Sequence, residues 1–492
     1  MSHPEPLPHL ESKSPPVGEV GHEHRLHRGA LGILDISAAT MANIGPAMSF
    51  FFGFGFLAET AGLASPLTII VAGIAIALLG NTLAQFSRAQ PSTGGFITFV
   101  GKAFGPVSAV TTALLAGAGY IIAMASVIAI SGGFMSITLE HYLHVDIPWG
   151  IFTVVFTALA VWMMIRGVSL STKLAGLFFG IEMAVLVVVS VAVIISHAGS
   201  LSLAPFEPKN LLGGFSGLAA GFPLAIYMFI GWENSAALAE ETTDPRRNVP
   251  RAVFASVAIM SVSYVLFAYA TVTGFDYDVE ALGKAQIPFI AVAQATLGIF
   301  AFLAYLSGLT STLGALIAGT NAQARLLFNA GREGLLASWI GKVHPTRRTP
   351  VNAILTFIAL SGLIIGGWAL GHVIGQGGAG MDPVNFFVEA STMGTILVLV
   401  VYLLSNLALP LYYRTFRPEQ FDPIKHGVLP GLGAAAIVVP LYYLAKPGQP
   451  NPYDWFPYAA LIVVAVAAIY AYILNSRDPG LATRVGSIVA DE

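Results

Sequence analysis

The sequence predicts an all-α polytopic membrane protein with twelve transmembrane helices, arranged as a five-plus-five inverted repeat in which helices 1 and 6 are broken. Three observations lead to this prediction. The 492 residues are 55% hydrophobic and only 10% charged, whereas a soluble globular protein carries about 25% charged residues. Twelve apolar runs follow one another along the chain, and nearly all Lys and Arg residues fall in alternate loops. Two of the runs contain helix-breaking residues at matching positions.

Each apolar run is close to the length of about 20 residues that a helix needs to cross the hydrocarbon layer. We expect these segments to contact membrane lipid. The predicted spans cover approximately residues 30–57, 64–86, 106–134, 148–165, 174–196, 215–241, 251–274, 288–318, 350–371, 385–410, 428–445 and 455–475.

The distribution of Lys and Arg supports both the number of spans and their orientation. If the N-terminus is cytoplasmic, twelve spans place all but three of the 23 Lys and Arg residues on the cytoplasmic side, the exceptions being Lys209, Lys284 and Lys446. Cytoplasmic loops of membrane proteins carry an excess of these residues. We therefore expect a plasma (inner) membrane protein with both termini in the cytoplasm.

Polar segments flank the predicted spans. We predict a disordered cytoplasmic tail over residues 1–28, a first repeat over 29–200, a second repeat over 201–380 whose last span extends to about 410, two further spans within 411–476, and a cytoplasmic tail over 477–492. The first tail contains HEHRLHR, which could bind a metal, but its polar composition favours disorder. The chain has no cysteine, which excludes disulfides, iron–sulfur clusters and thiolate zinc sites.

Spans 1 and 6 contain the helix-breaking residues. Span 1 reads ISAATMANIGPAMSFFFGFG, with Gly45 and Pro46 near its middle, and span 6 reads FPLAIYMFIGWENSAALAEE, with Gly231 near its middle. Unwound segments at membrane depth line a cavity or pack within protein. Because spans 1 and 6 lie five apart, they begin two blocks of opposite orientation, the pattern of an inverted repeat with a midplane binding site. The alternative is that both are ordinary kinks, since Gly and Pro are common in membrane helices.

The predicted breaks offer hydrogen-bond donors for a carboxylate and hydrogen-bond acceptors for an ammonium. An amino acid substrate has both groups. Pro46 is a favoured first residue of a helix, so the next three amides would have no helical partner and would form a positive dipole end suited to a carboxylate. These amides belong to Ala47, Met48 and Ser49. Free carbonyl groups at the ends of the first half-helices could accept hydrogen bonds from an ammonium. They lie near Asn43 and Ile44 and from Tyr227 to Ile230.

Three segments carry a family resemblance. They are FIGWENSAALAEETTDPRRNVPRAV (229–253), QPSTGGFITFVGKAFGP (90–106) and RLLFNAGREGLLASWIGKVHPTRRTPVNAI (325–354). They resemble segments of the amino acid–polyamine–organocation (APC) superfamily of transporters and follow one another along the chain in the order found in that family. The resemblance extends over about residues 30–475. The resemblance implies the five-plus-five fold of the sodium-coupled leucine transporters, with two extra helices at the end.

The sequence departs from the family pattern at the span 1 break. Members carry a glycine–small–glycine stretch whose amides hold the substrate carboxylate, whereas this chain has Pro46, which has no N–H. The carboxylate would then bind the amides of Ala47 and Met48, or the substrate would be an amine such as a polyamine. Glu333 replaces the usual aspartate of the loop after span 8, which is a minor change.

Two carboxylates are candidates for proton coupling. Glu233 lies beside the span 6 break, where an intramembrane charge costs at least about 2.5–3.5 kcal/mol at the helix centre, and it matches a glutamate implicated in proton dependence in the arginine–agmatine antiporter branch. Glu182 lies deep in span 5, where one proton-coupled branch of the family carries a lysine in place of sodium. The alternative for each is a structural carboxylate that is hydrogen-bonded to a neighbouring helix.

Sodium is the alternative coupling ion. Adjacent hydroxyls in span 8 could join span 1 carbonyls around a hard cation, although hydroxyls in membrane helices more often bond to their own backbone. They belong to Thr310, Ser311 and Thr312.

The remaining candidates are aromatic residues that could close the site or stack on a cationic amine. Tyr227 stands four residues before Gly231, as does a gating tryptophan of the antiporter branch, and Trp232 and Tyr120 complete the group. The full predicted substrate-binding set is Asn43, Ile44, Gly45, Ala47, Met48, Ser49, Tyr120, Tyr227, Ile230, Gly231 and Trp232.

The sequence therefore predicts a secondary active transporter of an amino acid or related amine, working by alternating access and coupled to protons. A sodium-coupled symporter, an exchanger and a non-transporting nutrient sensor are the alternatives. An enzyme is not expected, because the spans lack HExxH, paired aspartates and a nucleophile elbow. Expected partners are the small-molecule substrate, the coupling ion and membrane lipid, with no cofactor and no nucleic acid, and the oligomeric state stays open.

Overall fold

The computed structural model describes residue 26, residues 28–375 and 380–485, and residues 487 and 490. Regular structure in these residues is helical, with two isolated β-bridges and no strand. The predicted all-α class is therefore confirmed for the described part of the chain. The HEHRLHR motif and the predicted N-terminal tail lie outside the described residues, apart from Leu26 and Arg28.

Eighteen α-helices follow one another in these residues. They are α1 (Ile33–Ile44), α2 (Pro46–Ala61), α3 (Ser65–Ala89), α4 (Phe96–Phe104), α5 (Pro106–Leu143), α6 (Trp149–Arg166), α7 (Val168–Ser196), α8 (Phe215–Tyr227), α9 (Asn234–Ala237), α10 (Pro245–Gly274), α11 (Val279–Lys284), α12 (Pro288–Leu297), α13 (Phe302–Arg332), α14 (Val351–Gly375), α15 (Pro383–Phe416), α16 (Leu429–Ala445), α17 (Phe456–Arg477) and α18 (Leu481–Arg484).

Eleven helical segments of the described chain are long and apolar enough to cross a membrane. Near-continuous pairs count as one segment each, such as α1 with α2 and α12 with α13. The predicted span 215–241 is represented by α8, which is apolar but has only 13 residues. The chain is therefore a membrane-embedded protein, whereas the count of twelve spans and the repeat stay predictions.

The predicted span 288–318 covers α12 and the first part of α13, and α13 continues to Arg332. Its last turns are polar in sequence, which is why the hydropathy pattern ends the span too early. Asn321, Gln323, Arg325 and Asn329 are nevertheless buried, because this part of α13 is surrounded by protein.

The helices divide into an inner group and an outer group. Of the apolar stretch in 33–61, 89% is buried, against 17% of that in α17. The pair α1–α2 lies between α7, α8, α10 and α13, and α5 packs along α15. The outer helices α6, α14 and α17 expose large aliphatic side chains such as Val154, Leu363 and Leu461. Helices with exposed apolar side chains thus surround the buried pair α1–α2.

The described end of the chain packs against the loop after α3. The Ala490 N–H donates to the Pro91 carbonyl at 2.9 Å, and Val485 is buried in a cluster with Ile97 and Leu335. Arg484 donates to the Glu333 carbonyl at 3.3 Å. Part of the predicted C-terminal tail is therefore held against the helical body.

Candidate functional site

The first chain interruption lies at Gly45, between α1 and α2. Gly45 has a φ of 61°, in the left-handed region that glycine adopts without strain. A Cβ atom there would lie 3.0 Å from Met48 Cε and 3.2 Å from Ala315 Cβ. Pro46 is the first residue of α2, where its missing N–H leaves no helical hydrogen bond unmade. Gly45 thus suits the turn on steric grounds, and Pro46 suits it because no hydrogen bond is lost there.

The amides that follow Pro46 are not free, in contrast to the expectation from the sequence. The Ala47 N–H donates to Glu182 Oε2 at 3.2 Å, and the Met48 N–H donates to Ser311 Oγ at 3.0 Å. The Ser49 N–H donates to the Gly45 carbonyl at 2.8 Å. The reason is tertiary packing, since α7 and α13 bring an acceptor each to the start of α2. A carboxylate from this chain occupies the place expected for one from a substrate.

Several carbonyl groups at the interruptions also have partners. The Ile44 carbonyl accepts from Ser49 Oγ at 2.7 Å, and the Met228 carbonyl accepts from the Tyr264 hydroxyl at 2.8 Å. The Tyr227 carbonyl accepts from the Ile230 N–H at 3.0 Å. The expected set of free acceptors is therefore smaller than the sequence indicates.

The second interruption begins where α8 ends at Tyr227, and it touches the first. Gly231 has a φ of 106°, and its carbonyl accepts from Asn43 Nδ2 at 3.4 Å. A Cβ atom on Gly231 would lie 2.7 Å from that same nitrogen. Glycine is therefore required both by the backbone conformation and by the close approach of Asn43.

Glu233 is buried directly after this turn, with 8% of its surface exposed. Its Oε1 accepts from the Tyr120 hydroxyl at 2.6 Å, and its Oε2 accepts from the Gly231 N–H at 3.2 Å. The carboxylate thus connects α5 with the backbone of the second interruption.

A small inner cavity of about 20 Å³ lies beside Glu233. Its lining includes Asn43, Tyr120, Asn234 and Gln323. Within the described residues, both polar atoms of the Asn234 side chain and Gln323 Oε1 are buried without a hydrogen-bond partner. A cavity of this size holds one water molecule when two or more polar groups face it, so these amides suit a water next to the carboxylate.

The three hydroxyls of the predicted sodium site are engaged with other groups. Thr310 Oγ1 donates to the Leu306 and Ser307 carbonyls at 3.1 Å. Thr312 Oγ1 donates to the Leu309 carbonyl at 3.0 Å, and Ser311 accepts from Met48. The arrangement of Thr310 and Thr312 is the one expected of hydroxyls that bond to their own backbone, whereas Ser311 contacts the start of α2.

The predicted aromatic residues lie in three different surroundings. Tyr120 contacts Glu233, as described above. Trp232 is fully buried, edge-on to Phe96 and Tyr402. Tyr227 meets Phe387 edge-on at 6.1 Å and lines a second, larger cavity.

This second cavity, the outer cavity, has a volume of about 470 Å³. It lies between α2, α8, α15 and the segment 443–453, on the side of the interruptions that the charge distribution predicts to face outward. Sequence reasoning missed it, because its walls come from four segments of the chain that are distant in sequence.

An ion-pair cluster lies on the opposite side of the interruptions from the outer cavity, where α1 begins and α13 ends. Glu241 accepts from Arg325 Nε at 2.5 Å and from Nη2 at 3.1 Å, and Glu240 accepts from Arg332 at 2.8 and 3.2 Å. All four side chains are at least 95% buried. The charges of this segment were visible in the sequence, but their partners on α13 were not.

Comparison with known protein families agrees with these observations. The amino acid permease family matches residues 35–445, which extend from α1 to the end of α16. The chain belongs to the amino acid permease family. The APC resemblance of the three motifs is thereby confirmed. For this permease, the match points to transport of amino acids rather than to catalysis.

Several curated proteins are similar to this permease. An uncharacterized amino acid permease, YecA of Bacillus subtilis, is 26% identical over 314 residues, which are 63% of this chain and 70% of that protein. The branched-chain amino acid permease BcaP of the same organism is 24% identical over 472 residues, 91% of this chain and 93% of that protein. The Asc-type amino acid transporter 1 of Mus musculus is 24% identical over 439 residues, 84% of this chain and 80% of that protein.

Proposed function

We propose that this permease is a proton-coupled secondary transporter that moves an amino acid or related amine across the plasma membrane by alternating access. In this proposal, α1–α2 and the segment 215–241 are two broken transmembrane helices. They begin the two halves of an inverted repeat within twelve spans, and both termini are cytoplasmic. The match to the amino acid permease family supports the substrate class.

The observation that carries the proposal is the position of Glu233. A buried carboxylate is costly unless it is hydrogen-bonded or neutral, and this one bridges α5 and the second interruption through Tyr120 and Gly231. A change in its protonation alters a contact between two elements that must move relative to each other. Protonation can therefore be linked to the exchange between outward-open and inward-open states.

Glu182 is the second proposed proton site. Its side chain is fully buried and accepts from the Ala47 N–H, while its Oε1 has no hydrogen-bond partner among the described residues. Protonation of Glu182 weakens its hold on the start of α2. Sodium coupling stays the alternative, because Thr310 and Thr312 donate to carbonyls of their own helix but keep oxygen lone pairs that can bind a cation.

Uptake into proteoliposomes tests this function. We expect an inside-alkaline pH gradient to drive accumulation of a radiolabelled amino acid without sodium. Glu233→Gln is expected to abolish gradient-driven accumulation while leaving exchange of substrate between the two sides, because exchange needs no net proton transfer. Glu140→Gln, a change of an exposed carboxylate on α5, is the matched control and should behave as the parent protein.

Two results contradict the proposal. Accumulation that follows a sodium gradient and ignores the pH gradient would move the coupling to span 8. Binding of amino acids without uptake or exchange, detected as a rise in melting temperature, would indicate the nutrient sensor instead.

A further inference from the structure

The two cavities beside the interruptions differ greatly in capacity. The inner cavity, about 20 Å³, has room for a single water molecule. The outer cavity, about 470 Å³, falls within the range of about 300–1,000 Å³ that small-molecule sites occupy. In this conformation only the outer of these two cavities has room for an amino acid.

The walls of the outer cavity are mainly apolar and aromatic. Phe52 and Tyr227 lie against Phe387, with ring centroids at 5.4 and 6.1 Å. Hydroxyl groups occur along one wall, at Ser391 and Thr395, which follow Phe387 at helical spacing on α15. Such a surface favours a ligand that has an apolar body and a few polar atoms.

Lys446 is the one charged residue among the described residues that line this cavity. Its ammonium lies 4.6 Å from the centre of the Tyr443 ring, and the structure gives it no carboxylate partner within the described chain. The other two lysines that are predicted to face outward are paired. Lys209 lies 2.8 Å from Glu207, and Lys284 lies 2.6 Å from Glu280. Lys446 therefore differs from both in having its charge available at the edge of a cavity.

The neighbours of Lys446 do not neutralise its charge. Burial, with a smaller contribution from the Glu389 carboxylate, raises the pKa of Tyr453 to about 12. This hydroxyl, like that of an ordinary tyrosine, is neutral near pH 7 and does not pair with the ammonium as an anion. Gln449 Nε2 donates to the Tyr443 carbonyl at 2.7 Å, which holds this segment in place beside the cavity.

We propose that the outer cavity binds an α-amino acid with an apolar or aromatic side chain, and that Lys446 binds its carboxylate. This inference rests on the proposed transport function and names its substrate class. The usual carboxylate donors at the start of α2 are unavailable, because Ala47 and Met48 already donate to Glu182 and Ser311. Lys446 supplies the positive charge that these amides do not, and the aromatic wall receives the side chain.

Substitution of Lys446 tests the inference, with phenylalanine and its carboxylate-free analogue phenethylamine as probes. Lys446→Gln is expected to raise the KM for phenylalanine uptake about tenfold, the loss typical of one hydrogen bond to a charged group. The KM for phenethylamine, or its inhibition constant if it only competes, should stay unchanged. Lys446→Arg should retain most of the affinity for phenylalanine.

Lys209→Gln and Lys284→Gln are the matched controls, because each removes one outward lysine that is already paired. Both should leave the KM for phenylalanine unchanged. An unchanged KM in Lys446→Gln overturns the inference, and so does an equal increase in all three variants, which would indicate a general surface-charge effect. If the parent protein transports no amino acid at all, the proposed function fails instead. Stabilisation of the purified protein by phenylalanine, reduced in Lys446→Gln alone, then still tests the cavity.

Discussion

Gly231 is the residue at which the two interruptions touch. Its positive φ and its 2.7 Å approach to Asn43 Nδ2 leave no room for a side chain. The turn that it forms also directs the N–H toward Glu233. One backbone position thus links the shape of the break to the carboxylate on which the proposed coupling depends.

Gly231→Ala is expected to lower the stability of the protein by about 1–3 kcal/mol, the cost of a residue forced into a sparsely populated backbone conformation. The measurement is thermal unfolding in detergent. Gly362→Ala is the control, because Gly362 lies within α14 with nothing within 4 Å of the added atom, and such a change in a helix raises stability slightly. Equal melting temperatures for both variants would contradict the role given to Gly231.

At this level the sequence shows which residues are unusual but not which groups they contact. Gly45, Pro46, Gly231 and Glu233 stand out because each conflicts with its apolar helical surroundings. The acceptor for the Ala47 N–H is 135 residues away, so no local pattern could reveal that it is already occupied. The prediction that these amides bind a substrate carboxylate assumed that they had no partner within the protein.

The contact between α13 and the segment 239–243 lies on the predicted cytoplasmic side. Besides the ion-pair cluster, the Leu31 N–H donates to the Glu241 carbonyl and the Thr243 N–H donates to the Leu31 carbonyl, both at 3.0 Å. The start of α1, the end of span 6 and α13 are therefore joined. With the predicted orientation and the proposed transport cycle, this side and the outer cavity together would form an outward-facing arrangement.

Removal of one member of the ion-pair cluster should open this side. Glu241→Gln leaves Arg325 buried without its counter-charge, which typically costs about 3–5 kcal/mol. Because the chain has no cysteine, Ala236→Cys in the inner cavity can report access. We expect a membrane-impermeant thiol reagent, applied to inside-out vesicles, to label this cysteine faster when Glu241→Gln is present.

The control for this experiment is Asp422→Asn, which breaks a surface ion pair with Lys425. Exposed pairs contribute little, so labelling of Ala236→Cys should stay slow. Slow labelling with Glu241→Gln as well would show that the cluster does not hold this side closed.

Helix bounds show where hydropathy is informative and where it fails. Outer segments that expose apolar side chains, such as α6 and α17, lie within a few residues of the bounds that hydropathy predicts. The end of α13 was not, because Asn321 and Arg325 lie in protein and their polarity says nothing about lipid. Burial by other helices has no signature in a hydropathy profile.

At the scale of the whole molecule, the predicted orientation in the membrane rests on the distribution of Lys and Arg residues. Accessibility of single cysteines in whole cells tests it. Ser200→Cys, in the exposed loop after α7, should react with a membrane-impermeant reagent, whereas Thr346→Cys, in the exposed loop after α13, should react only after the membrane is permeabilised. The opposite pattern of labelling would show that the orientation is reversed and that the outer cavity opens to the cytoplasm.

The unequal sizes of the two cavities have a pharmacological consequence. A compound with a carboxylate and a bulky aromatic body could enter the outer cavity yet be too large to be enclosed when that side closes. Such a compound stabilises only the conformation that contains the cavity, and a ligand shifts an equilibrium by its difference in affinity between the two states. It would act as a competitive, non-transported inhibitor, and a co-complex with it would trap a single conformer for structural work.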